Sequence, residues 1–145
     1  MQRLWWCEAK MQNILVVDDE PDVRDSVKFV LDRAGYSVRT AESAMDALAE
    51  LARNPTDLVI TDIIMPQING VEAIESIRKA FPSVRIIAIS GGGNFGVTDY
   101  QPTAITTTAY LASAEKAGAH LVLTKPFETV ELIRSVEQVL GVGHA

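Results

Sequence analysis

Between Asn13 and Leu140 the chain alternates two apolar patterns. Short continuous runs suit strands buried on both faces, and each gives way to apolar positions spaced three and four apart, which suit helices. Asn13–Val17 reads as a strand, and the helix after it opens at Pro21, places Val23, Val27, Val30, Leu31 and Ala34 on one face, and closes at Gly35. Tyr36–Thr40 is a second strand, Ala44–Arg53 a second helix, and Asp57–Asp62 a third strand. A third helix runs from about Gly70 to Ala80 with Val71, Ile74 and Ile77 inward, and Pro82 stands beyond its end. Val84–Ser90 makes a fourth strand. Helical spacing returns near Thr107, where Tyr110, Leu111, Ala114 and Ala117 share a face, before a fifth strand at His120–Thr124. Thr129–Leu140 is the last helix, with Ile133, Val136 and Leu140 at helical spacing.

Strand and helix in alternation, repeated to the end of the chain, predict an α/β fold: a doubly wound five-stranded parallel sheet with helices on both faces. In such sheets ligands collect at the carboxyl ends of the strands. The irregular part follows the fourth strand, an enlarged loop over about 91–106 that begins Gly91-Gly92-Gly93-Asn94-Phe95-Gly96. A long connection beside the strand ends is more often functional than neutral.

Composition narrows the function. The 145 residues suffice for one domain, and 48% hydrophobic with 22% charged residues is ordinary globular composition. A net charge of −6 gives no long-range attraction for nucleic acid or anionic lipid, so no direct nucleic-acid or membrane role is expected. Cys7 is the single cysteine and has no disulfide partner in the chain. No apolar run reaches the roughly 18 residues of a membrane span, and a cytoplasmic location is expected. Residues 1–10 read as a flexible N-terminal extension and 11–143 as the domain, with no output domain after it.

The chemistry lies at the strand ends. Asp18 and Asp19 follow the first strand, Asp62 closes the third, Ser90 the fourth, and Lys125 follows the fifth. Any one acid there is readily explained as a solvated surface group. Together they are harder to explain, because two carboxylates about 4 Å apart repel by roughly 4 kcal/mol at an effective dielectric near 20. A crowded acid cluster implies a cation, and carboxylate with carbonyl oxygen suits Mg²⁺. A metal so placed allows an aspartate to attack phosphorus, with Lys125 and Ser90 available to phosphoryl oxygens.

The segments LVVDDEPD (15–22), TDIIMPQINGVE (61–72), AISGG (88–92) and LTKPF (123–127) together resemble a response-regulator receiver domain of bacterial two-component signalling, single-domain type. The resemblance spans nearly the whole chain. It implies a flavodoxin-like sheet of order 2-1-3-4-5, for which receivers are themselves a standard example. It also implies that Asp62 is the phosphoacceptor, that Asp18, Asp19, Asp62 and the backbone carbonyl of Ile64 hold Mg²⁺, and that Ser90 and Lys125 contact the phosphoryl group. Pro126 stands where the family typically has a cis peptide bond. The implied donor is a sensor histidine kinase or a histidine phosphotransfer protein. The implied output is phosphorylation-dependent binding of a downstream protein target, or of a second copy as a dimer, through the face of the fourth helix, fifth strand and fifth helix. Self-phosphorylation and autodephosphorylation would be its only catalysis; it is not expected to be a turnover enzyme.

Three departures from the family pattern stand out, one of them Ile64 and Gly92 at the positions two beyond Asp62 and Ser90, where the family tunes hydrolysis of the aspartyl phosphate and neither side chain here can orient a water. Val122 occupies the position, three before the lysine, where the family usually has a switch aromatic. Ser90 and Lys125 are 35 positions apart, longer than the family's usual spacing. Other readings fare worse. Residues 91–96 match G-x-G-x-x-G after a strand, but no helix pattern opens directly behind them, so a hinge is expected there, not a dinucleotide site. His120 and His144 lack metal-spaced partners. A phosphohydrolase of the haloacid-dehalogenase kind would need D-x-D after the first strand, where this chain has Asp18-Asp19-Glu20. A pseudo-receiver that only docks partners would have no need of Asp18, Asp19, Asp62 and Lys125 together.

Overall fold

A computed structural model of the protein describes residues 12–62, 70–90, 112, 114–124 and 127–141. Its elements are β1 (Asn13–Val17), α1 (Pro21–Arg33), β2 (Ser37–Ala41), α2 (Ala44–Arg53), β3 (Leu58–Asp62), α3 (Gly70–Ala80) and β4 (Arg85–Ser90). Helical residues 114–117 are the described end of α4; β5 (Leu121–Thr124) and α5 (Thr129–Leu140) follow. The expected extension at 1–10 and the loop at 91–106 lie outside the described residues.

All four strand pairings are parallel, and the sheet order is β2-β1-β3-β4-β5. Alternate strand residues feed two cores, one on each face. Leu15, Val17, Val59, Ile86 and Ala88 pack with Ala47 and Leu51 of α2, Ile74 and Ile77 of α3, and Ala114 of α4. Ile14, Val16, Leu58, Ile60, Ile87, Ile89 and Leu123 pack with Val27 and Leu31 of α1 and Leu132 and Val136 of α5. Every residue of β3 is buried, as a central strand covered on both faces requires. Among the described residues no helix is long and apolar enough to cross a membrane.

The four strands after β1 or their approaches differ by one residue from the sequence reading, for local reasons. Tyr36 belongs to the end of α1: its N–H donates to the Leu31 carbonyl and that of Gly35 to the Asp32 carbonyl, the paired bonds of a Schellman motif, with Gly35 at φ +102°. The strand therefore starts at Ser37, and Ala34 is the exposed cap residue instead of a core residue. Asp57 precedes β3, bracketing β1 by donating to the Asn13 carbonyl while its Oδ2 accepts from the Asn13 N–H, both at 2.8 Å. Val84 is held in a turn by donation to the Phe81 carbonyl. His120 precedes β5 and bonds to β4 in part through its ring, as described below. In α5 Val136 is fully buried as expected and Leu140 packs half-buried against the same core, while Leu132 takes the fully buried place expected for Ile133, which is half-buried. Helix ends are set by side chains too: Ser43 Oγ accepts from the Asp46 N–H at 3.1 Å, and Glu128 and Glu131 form a capping box on α5.

Candidate functional site

Register brings the acids together. Val17 pairs with Thr61, so Asp18, the next residue along, falls beside Asp62 on the adjacent parallel strand, at the roughly 4.8 Å spacing of a sheet. Asp62 pairs with Ile89 and Ser90 with Thr124, so the Ser90 backbone stands one step beyond the rung that Asp62 makes with β4. Among the described residues, Asp18, Asp62 and the Ser90 backbone thus follow one another along the carboxyl edge of the sheet from β1 to β4.

Asp18, Asp19 and Asp62 each place a carboxylate oxygen within 4.8 Å of the others. Asp18 is 2% exposed and Asp62 5%, whereas Asp19 is open to solvent. Burial matters because it strips the water that would otherwise dissipate the mutual repulsion. Three convergent hard oxygen donors, one of them solvent-facing, fit a divalent cation that keeps part of its water shell. They do not fit a soft metal, which would call for thiolate or imidazole. Of the expected site residues, the structure therefore brings Asp18, Asp19 and Asp62 together and places the Ser90 backbone at the end of β4. Ile64 and Lys125 lie outside the described residues, as does Pro126.

The loop that carries the acid pair is tied from three sides. The Asp18 N–H donates to the Ala41 carbonyl of β2 at 3.2 Å. Asp18 Oδ1 accepts from the Glu20 N–H at 2.9 Å, and the Asp18 carbonyl accepts from Arg24 Nη1 at 2.7 Å. Arg24 was not among the residues singled out from sequence. Its signal was its place in α1, a cation just over one turn into the helix that opens behind the acid pair, where the side chain can fold back over the loop. Arg24 also lines a polar cleft of about 320 Å³ between α1, β2 and α2. Val122 of β5 is half-buried and packs against the core on the α2–α4 face.

The family model described as the response regulator receiver domain matches residues 14–137. The nitrogen assimilation regulatory protein NtrX of Azorhizobium caulinodans is 36% identical over 130 residues, which cover 88% of this chain and 26% of that protein. The chemotaxis protein CheY of Thermotoga maritima is 30% identical over 129 residues, covering 88% of this chain and 97% of that one. The solved receiver domain of NtrX from Brucella abortus superposes with a TM-score of 0.75 at 35% identity, covering 90% of this chain and 99% of that domain. The chain thus spans about a quarter of the length of NtrX of A. caulinodans but nearly all of the chemotaxis protein.

Proposed function

The chain belongs to the response regulator receiver domain family, and on that premise we propose that it is the phosphoacceptor of a two-component relay, with Asp62 as the acceptor. The observation that carries this reading is the cluster of Asp18, Asp19 and Asp62 carboxylates, all within 4.8 Å, at the carboxyl edge of the central strands.

The donor is a phosphohistidine on a sensor histidine kinase or a histidine phosphotransfer protein. An Asp62 carboxylate oxygen attacks the phosphorus in line. The P–N bond to the imidazole breaks as the new O–P bond forms, and the leaving nitrogen keeps the electron pair and is then protonated. Asp18, Asp19, Asp62 and the Ile64 carbonyl would hold Mg²⁺, which supplies neutralisation of the phosphoryl oxygens as charge moves between them. Asp18 and Asp19 thereby let an anion approach a third carboxylate. Lys125 contributes a point charge to the phosphoryl group and Ser90 a hydroxyl donor. The added charge biases a pre-existing equilibrium toward the state that binds a downstream protein through α4, β5 and α5.

Incubation with Mg²⁺ and a small phosphodonor or a phosphorylated kinase should leave about one acid-stable, base-labile phosphoryl group per chain on wild type and none on Asp62→Asn. Equal label on both proteins would sink the reading. Many turnovers of donor without accumulated label would point to a phosphohydrolase instead.

A further inference from the structure

Arg24 stands just behind the acid pair without belonging to it. Its backbone N–H donates to the Glu20 carbonyl at 3.0 Å in the first turn of α1, while its Nη1 reaches back to the Asp18 carbonyl at 2.7 Å. The loop residues Asp18, Asp19 and Glu20 are thus spanned twice, once by the helix backbone and once by the side chain. The same loop is pinned internally by the Glu20 N–H on Asp18 Oδ1. Arg24 lines a cleft together with Glu42, Asp46, Glu50 and Arg53, in which Glu50 is already paired with Arg53 at 2.9 Å and with Arg39 at 2.7 Å.

From this geometry we propose that Arg24 is a positioning residue for the metal-binding loop: it holds the Asp18 carbonyl so that the Asp18 and Asp19 carboxylates converge with Asp62 before any cation arrives. The inference rests on the metal-site reading above for its consequence, but the clamp exists without the metal. Two physical effects of Arg24 on cation binding oppose each other. As a nearby positive charge it disfavours a second cation, so neutralising it would tighten binding. As a clamp it prepays the ordering of the loop, so removing it would weaken binding, by the tens-fold typical of residues that orient metal ligands. The direction of the change separates them.

The test compares wild type, Arg24→Gln and Arg24→Lys in two measurements. In metal-free protein, amide exchange at Glu20 should speed by about ten-fold in Arg24→Gln, with Ile60 in the buried central strand unchanged. The Mg²⁺ dissociation constant should rise by about ten-fold, and Arg24→Lys, which keeps one donor and the charge, should recover part of both effects. Glu20 exchange within two-fold of wild type, equal acceleration at Ile60, or Mg²⁺ bound as tightly or more tightly in Arg24→Gln would each overturn the proposal. Should wild type bind no Mg²⁺, the metal-site reading fails, and exchange at Glu20 alone decides the clamp.

Discussion

At the scale of single residues, His120 shows how a side chain can extend a sheet. Its backbone N–H donates to the Ile86 carbonyl at 2.7 Å, and its ring Nδ1 accepts from the Ile86 N–H at 3.1 Å. The imidazole therefore takes the place of a backbone carbonyl one rung before β5 begins. A ring nitrogen that accepts must be unprotonated. Partial burial holds the His120 pKa below its ordinary value of 6.5, and the positive charges of Arg78 on α3 and Arg85 on β4 push it the same way. Between the lowered folded value and 6.5 the unfolded chain binds more protons than the folded one, so stability rises with pH across that window. The contribution is complete above the unfolded value and lost as pH falls through the folded one. His120→Asn keeps an acceptor at the δ position without a titrating ring. Urea midpoints measured over this window should fall less with acid in His120→Asn than in wild type, and parallel curves would exclude the ring as a source of the slope. In the sequence this histidine had no metal-spaced partner and therefore no visible task; its partner is a backbone amide 34 positions away.

At the scale of elements, α2, α3 and α5 keep the bounds read from sequence, because capping residues, glycine and a following proline mark helix ends locally. Strand starts were less legible. Tyr36, Val84 and His120 have strand-like character but are engaged by turns or by side-chain bonding, which depends on residues elsewhere in the fold. The Asp cluster was legible because parallel alternation alone sends strand ends to one edge. Arg24 was not, because its value lies in a side-chain bond that periodicity does not encode. The α4–β5 junction carries a prediction of its own. Gly118 has φ +129° and lies against the aliphatic stem of Arg78, whose Nη1 is tied to the Pro82 carbonyl at 3.0 Å. Gly118→Ala combines left-handed strain with a steric clash and should cost about 1–3 kcal/mol. Denaturant unfolding would measure it, and a loss below about 0.5 kcal/mol would mean that Arg78 swings aside and the backbone relaxes.

For the molecule as a whole, the role proposed for the acid cluster works against stability. Asp18 and Asp62 are buried beside one another in a chain of net charge −6, so metal-free protein carries repulsion that a bound cation would relieve. Asp62→Asn should therefore raise stability in chelator by about 1–2 kcal/mol, a fraction of the roughly 4 kcal/mol repulsion at 4 Å and an effective dielectric near 20. It should also shrink the stabilisation wild type gains from Mg²⁺, which mass action puts at about 2.7 kcal/mol at a hundred times the dissociation constant. Thermal unfolding with and without Mg²⁺ checks both, and a destabilised Asp62→Asn in chelator would mean that other charges already balance the cluster.

The position of β1 between β2 and β3 has a consequence for how the protein is made. A nascent chain can form the β1–β2 pair as soon as Ala41 has emerged, but β1 stays uncovered along its other edge until Leu58–Asp62 arrives. The acid pair and its missing third member are separated by that same stretch of synthesis. Closure of the inner edge and convergence of the three carboxylates are then one event in time. A divalent cation supplied during translation would reward chains only after the central ladder has zipped, and would leave earlier intermediates untouched.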